Sequence, residues 1–304
     1  MAAGWCGRCS SYSCARRERR EAGRVSRAGA GRRRNHSAAA VPAARAHDTD
    51  ERKMRDELMR VQRAYNSLAP AYDAQMGAQP VAQWMRAELW RHLDSLFPAG
   101  ARVLDFTAGT GSDALHLAAR GVCVTALDIS PGMIAQLQQR AAQRGLALEA
   151  RVLAAERLGE LEAPDFDGAY STFAGLNTIG ELSQLARDLR ARLRPGARVV
   201  LHALSAFCLW EQMAHSVLRR PTRAGRVCVG GEPLAHRYYE PFALWRTHFR
   251  ECFALRRLYA LSVVAAPALV ARAPRLRGML FRLDRTLGRL WPGAGDFFVM
   301  ELEA

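Results

Sequence analysis

This sequence has almost no lysine: of its 44 basic residues only Lys53 is one, and the rest are arginine. An arginine bias of that kind follows from GC-rich codons, so the formal net charge of +15 does not by itself assign a polyanion partner. The charge is also uneven. Residues 1–53 hold 13 basic against 5 acidic residues, which leaves the body of the chain only mildly basic. Paired cysteine spacing is nearly missing as well, with Cys6 and Cys9 the one C-x-x-C pair. Cys6, Cys9 and Cys14 crowd the first residues while Cys123, Cys208, Cys228 and Cys252 are scattered, which argues against a disulfide framework and fits a reduced, cytoplasmic setting. Cys6, Cys9, Cys14 and His36 complete no zinc spacing, so no metal site is expected. The longest late apolar run, 258–271, is interrupted by Pro267 and falls short of the ~20 residues a membrane span requires.

Residues 1–47 are rich in Arg, Ala, Ser and Gly, without an apolar period, and cannot bury enough surface to offset their ordering entropy. A disordered tail over 1–53 is expected, read either as a transit peptide or, more simply, as the result of translation starting near Met54. The remaining 54–304 is long enough for one large domain with a substantial core. Helical periodicity runs over 48–97, with Leu58, Val61, Tyr65 and Leu68 on one stripe, a break at Pro70, and a second amphipathic run over 81–96.

The centre of the chain is 101–133, ARVLDFTAGTGSDALHLAARGVCVTALDISPGM. An apolar run (Val103, Leu104) ends in Asp105, and a small-residue turn (Thr107, Ala108, Gly109, Thr110, Gly111) opens a helix over 112–120. A second apolar run over 122–127 ends in Asp128, and Ser130 and Pro131 suit the cap and first turn of another helix. This is a β-α-β unit. Glycines at the turn let a ligand approach backbone closely, and an acid ending the second strand accepts hydrogen bonds from ribose hydroxyls, so an adenosine-containing cofactor is expected. Gly109, Gly111 and Ala114 also satisfy G-x-G-x-x-A, which keeps a nicotinamide-dependent oxidoreductase open at this point.

Further strands are predicted over 146–153, 166–173 and 196–204, with helices over 134–144 and 177–193 between them. The alternation specifies a parallel sheet covered on both faces. The pattern then changes over 205–250, where aromatic helices (207–218, 241–249) flank a hairpin around Gly230 and Gly231, an insertion suited to capping a site. A sixth strand over 253–264, a basic amphipathic helix over 275–291 and a closing strand over 297–302 complete the chain.

VLDFTAGTG and LDISPGM, followed in order by FDGAYSTFAGLN, LRPGARVVL and the terminal GDFFVMELE, resemble a class I S-adenosylmethionine-dependent methyltransferase of the small-molecule group that includes ubiquinone and biotin pathway enzymes. The resemblance implies a Rossmann-like α/β fold: seven strands, mostly parallel, an antiparallel last strand, and helices on both faces. It implies S-adenosyl-L-methionine as cofactor, with Asp105 holding the glycine loop, and Thr107, Ala108, Gly109 and Gly111 bringing backbone to the ligand. Asp128 would take the ribose hydroxyls, Ile129 and Met133 would flank adenine, and Tyr72, Thr172 and Phe173 would complete the pocket. Thr107 replaces the usual first glycine, so its turn must be reached without positive φ or carry strain. Ala154 replaces a common adenine-contacting aspartate, which leaves Ala155 backbone or Glu156 for that contact.

Methyl transfer from a sulfonium is an in-line displacement in which the protein aligns the acceptor and excludes water. The chain has no Asn-Pro-Pro-Tyr, Asp-Pro-Pro-Tyr or Pro-Cys signature, which counts against nucleic-acid substrates. A small apolar or aromatic acceptor is expected, touched by Tyr65, Asn177, Tyr238 and Tyr239. His202 and His236 are the candidate bases, though a lone histidine is more often structural. A protein that binds the cofactor without transferring anything is the remaining alternative. The leucine stripe of 275–291 is read as packing on the sheet with its arginines in solvent, in preference to lying on an acidic membrane.

Overall fold

The computed structural model describes residues 43–162, 165–218 and 226–304, and of the tail expected over 1–53, residues 1–42 lie outside them. Nine strands form among the described residues: β1 (Arg102–Asp105), β2 (Cys123–Asp128), β3 (Glu149–Val152), β4 (Phe166–Ser171), β5 (Leu193–Leu204), β6 (Arg226–Val229), β7 (Glu232–Ala235), β8 (Ala254–Leu261) and β9 (Phe297–Glu303). Seven make one sheet in the order β3-β2-β1-β4-β5-β9-β8, and β6 and β7 form a separate hairpin. Neighbours from β3 to β5 are parallel. The chain's last strand, β9, runs antiparallel to both β5 and β8. The expected Rossmann-like sheet, with its reversed closing strand, is therefore present.

The helices are α1 (Ala43–Gly77), α2 (Pro80–Leu96), α3 (Ser112–Ala118), α4 (Pro131–Gln143), α5 (Leu182–Arg190), α6 (Leu209–Leu218), α7 (Pro241–Leu244, continued by a wide turn to Phe249), α8 (Pro267–Arg272) and α9 (Arg277–Leu290). Strand residues alternate between two apolar layers, as a period of two demands. On β5, Val199, Leu201 and Ala203 join α5 residues Leu182, Leu185 and Leu189. Val200, between them, faces the other layer with Leu89 and Leu93 of α2 and Leu117 of α3. Each such fully buried side chain stabilises the fold by roughly 1.5–3 kcal/mol relative to exposure.

Three boundaries differ from expectation. The first helix begins at Ala43, so 43–53 is helical rather than tail; between Ala43 and Leu68 the chain has neither Gly nor Pro to stop it. The same helix passes through Pro70. A proline inside a helix costs about 3 kcal/mol, and burial of Ala64, Ala69 and Met76 on either side offsets it. The helix expected over 177–193 is split: Gly175–Thr178 is a tight turn, and α5 starts at Leu182. Asn177 is the cause, since its side chain accepts from Leu204 N–H at 2.9 Å and donates to Arg237 C=O at 2.5 Å, tying it to β5 and the insertion instead of to a helical turn.

Candidate active site

The parallel strands end in register. Asp105 of β1 pairs with Ala126 of β2 and with Tyr170 of β4, so the loops after all three strands leave from one edge of the sheet. Between β1 and β4 the strand order reverses, which opens a crevice at the carboxyl ends. A cavity of about 430 Å³ occupies it.

Asp128 forms its polar corner. One carboxylate oxygen accepts from Gly109 N–H and the other from Ser130 N–H, each at 2.8 Å. Burial pushes its pKa up to about 6 against those two hydrogen bonds. Next to it, Ser130 Oγ accepts from Met133 N–H at 3.1 Å, the cap foreseen for α4. Gly109 and Gly111 both have positive φ, but for different reasons. A Cβ on Gly109 would point toward Tyr72 Cε1 at 4.0 Å, whereas a Cβ on Gly111 would lie 2.3 Å from Leu137 Cγ. Gly109 opens the cavity wall, and Gly111 lets the loop pack on α4.

Thr107 is not among the residues of positive φ. Its side chain lies over Gly175, where a Cβ would be 2.4 Å from Thr107 Oγ1, and it hydrogen-bonds Ser171 Oγ at 2.7 Å. The missing glycine of the loop is thus matched by a glycine across the crevice. Positive φ instead occurs at Phe173 and Ala174, just after β4. His202 holds that turn: its Nδ1 accepts from Phe173 N–H at 3.0 Å and its carbonyl accepts from Ala174 N–H at 3.3 Å.

Of the residues expected to bind cofactor, Tyr72, Thr107, Gly109, Asp128, Ile129, Met133, Ala155, Glu156, Thr172 and Phe173 line the cavity, and so do Tyr65, Tyr238 and His236. Others stand back from it. Asp105 is buried and accepts from Thr107 N–H at 3.2 Å, shaping the loop from behind. Ala108 donates to Leu127 C=O, and Gly111 packs as above. Asn177 and Tyr239 bind the insertion to β5, where Tyr239 N–H donates to Leu204 C=O. His202 is fully buried between Phe173 and Phe297, and burial pushes its pKa down to about 3, so it positions the turn and stays neutral. His236, also held below the usual histidine range by burial, has a buried Nδ1 with no partner among the described residues.

Two groups were not foreseen. On α1, Gln62 donates to Ile129 C=O at 2.9 Å, Asn66 accepts from Ser130 Oγ at 2.6 Å and Gly132 N–H at 2.8 Å, and Asp73 accepts from Thr110 Oγ1 at 2.6 Å. These polar residues clamp the helix across the loops that follow β1 and β2; their signal in the sequence is a polar stripe beside the apolar one. Leu58, Val61, Tyr65, Leu68, Tyr72 and Met76 of the same helix then roof the cavity. The second group surrounds Asp113, which accepts from Arg86 at 2.6 Å, Trp90 Nε1 at 2.7 Å and Thr172 Oγ1 at 2.5 Å. Burial alone would raise its pKa, but the Arg86 guanidinium and these hydrogen bonds hold it below the carboxylate range. Arg86 also stacks 4.2 Å from the Phe173 ring centre, so the cluster braces the wall after β4.

Residues 103–196 match the family model described as a methyltransferase domain. Over that segment the chain is similar to a methyltransferase domain. Over 110 residues it is 31% identical to a ubiquinone biosynthesis O-methyltransferase of Xanthomonas axonopodis pv. citri, covering 36% of this chain and 46% of that protein. Over 146 residues it is 30% identical to a demethylmenaquinone methyltransferase of Tropheryma whipplei, covering 46% of this chain and 57% of that one. The chain therefore spans about half the length of these two curated relatives. The CcbJ methyltransferase from Streptomyces caelestis shares the fold, with a TM-score of 0.54 at 18% identity over 79% of this chain and 98% of its own. Outside 103–196 the same sheet continues through β9 and β8, with α1, α2 and the insertion around it.

Proposed function

We propose that this protein is an S-adenosyl-L-methionine-dependent methyltransferase acting on a small, apolar or aromatic acceptor. The observation that carries the reading is Asp128, at the end of β2, with both oxygens aligned by Gly109 and Ser130 N–H at the edge of the cavity. The remaining lone pairs of that carboxylate suit two vicinal hydroxyls. Ile129, Met133 and Ala155 offer apolar surface for adenine, while Tyr72, Thr107 and Phe173 stand beside the loop end where a methionine moiety would lie. The bound sulfonium would supply an electrophilic methyl.

The chain's own contribution is alignment and exclusion of water. Tyr65 and Leu68 on α1, with Val227, Val229 and Tyr238 of the insertion, make the acceptor wall almost wholly apolar. His236 is the proton acceptor in this reading, for an acceptor whose hydroxyl must lose a proton: it faces the cavity and is kept neutral by burial. A nicotinamide enzyme is disfavoured because its doubly wound sheet continues parallel beyond the position of β5, where β9 here is reversed. Calorimetry with S-adenosylhomocysteine and with NADH, followed by transfer of labelled methyl to hydroxylated aromatic acceptors, tests the proposal. Binding of the first ligand only, with turnover, is expected; binding of NADH alone, or cofactor binding without transfer to any acceptor, would overturn it.

A further inference from the structure

At α9, Leu276, Leu283 and Leu290 do not face the sheet. The helix packs through Leu280, Asp284 and Gly288, whose Cβ would lie 2.1 Å from Ala260 C=O. Asp284 fixes this orientation, its carboxylate accepting from Ser262, Val264 and Ala265 N–H at 2.9 Å each. Of the leucine stripe expected to pack on the sheet (Leu276, Leu280, Leu283, Leu287, Leu290), Leu280 is buried, whereas Leu276, Leu283 and Leu290 are turned outward, with Met279, to exposures of 46%, 46%, 65% and 59%. Each of the three leucines follows an arginine, Arg275, Arg282 and Arg289, in an exact seven-residue repeat. These arginines are exposed and make no ion pair among the described residues. From Pro267 to Trp291 the chain has six arginines against one acid, the buried Asp284.

The surface continues toward the cavity. Exposed Trp291 leads into Gly293 and Ala294, which meet Pro241 and accept from Leu209 N–H at 2.9 Å, next to exposed Phe242 and Phe207. Pro267, Asp296 and Phe297, at the roots of the same elements, line the cavity.

We propose that the α8–α9 face, edged by Trp291, Phe207 and Phe242, docks on an anionic phospholipid bilayer. Outward leucine, methionine and aromatic side chains enter the acyl boundary while neighbouring arginines reach up to phosphate, the arrangement that holds an interfacial helix in the membrane plane. Like-charged arginines at every seventh position would repel those of a second copy, whereas an anionic surface attracts each of them. This inference goes beyond the methyl-transfer reading and stands independently of it.

Flotation of the full chain with phosphatidylcholine vesicles, and with vesicles also containing phosphatidylglycerol, tests the proposal. Capture by the anionic vesicles, weakened by salt, is expected. Met279→Ser with Leu283→Ser, which leaves the charge unchanged, and Arg282→Gln with Arg289→Gln should each reduce capture by about tenfold. An unchanged melting temperature and unchanged S-adenosylhomocysteine affinity would show that the exposed substitutions left the fold intact. Equal capture of wild type and variants would place binding on other basic segments and overturn the proposal. So would no capture of wild type, or a change from dimer to monomer in the serine variant without vesicle binding.

Discussion

The two walls of the cavity are built on different principles. The wall from β1 and β2 is made of backbone and one carboxylate, held by short-range hydrogen bonds from Gly109 and Ser130. The wall from α1 and the β6–β7 hairpin is made of apolar side chains brought together over long sequence separations, with Gly230 seated against Ala64. A ligand met by the first wall is recognised by fixed polar geometry, which tolerates little variation. One met by the second is recognised by shape and apolar area, where a single methylene is worth only about 1–3 kcal/mol. In the proposed reading, cofactor choice and acceptor choice are thus separable.

Removing the carboxylate should separate the walls most sharply. Asp128→Ala is expected to weaken S-adenosylhomocysteine binding by roughly 100-fold, in line with a lost charge-assisted hydrogen bond to each of two hydroxyls, while the melting temperature stays near wild type; calorimetry and a thermal scan read both. A smaller effect on the same wall comes from pH. Asp128 titrates near 6 in the folded protein, above the usual aspartate range, and the ligand needs the ionised form. Affinity should therefore be full above that pH and fall by about tenfold for each unit below it, a slope that Asp128→Ala would abolish. The mildest test addresses the other wall. Gly230 has a φ of +55°, and a Cβ there would lie 2.2 Å from Ala64 C=O. Gly230→Ala should lift the hairpin from α1 and raise the acceptor KM several-fold, with cofactor affinity within about twofold of wild type. A comparable loss of cofactor affinity would mean the two walls are coupled through α1.

Legibility in the sequence divides along the same line. Asp105, Gly109, Asp128 and Ser130 were readable because each role is set within about twenty residues, by strand end, turn and helix cap. The ties of Asn177 and of the Tyr239 backbone to β5 and the insertion are not legible in the sequence, because the groups that bind them are distant in the chain. Periodicity puts leucines 276, 280, 283, 287 and 290 on one stripe, yet it does not say which edge of that stripe faces inward, and only Leu280 is buried. Asp284 and Gly288 decide that, one by capping three backbone N–H groups and the other by letting the helix approach β8. The tolerance of Pro70 inside α1 was equally hidden, since it depends on burial against elements encountered later.

By itself, then, the sequence determined the order of strands and helices, the cofactor loops and the polar corner at Asp128, because local hydrogen bonding and alternation of apolar residues are written in adjacent positions. Only the tertiary structure decided that Thr107 is accommodated by Gly175, that His202 braces the Phe173 turn instead of facing the cavity, and which face of α9 meets solvent. Those outcomes depend on which side chains meet across the crevice and the sheet, a matter of three-dimensional complementarity that no local pattern encodes.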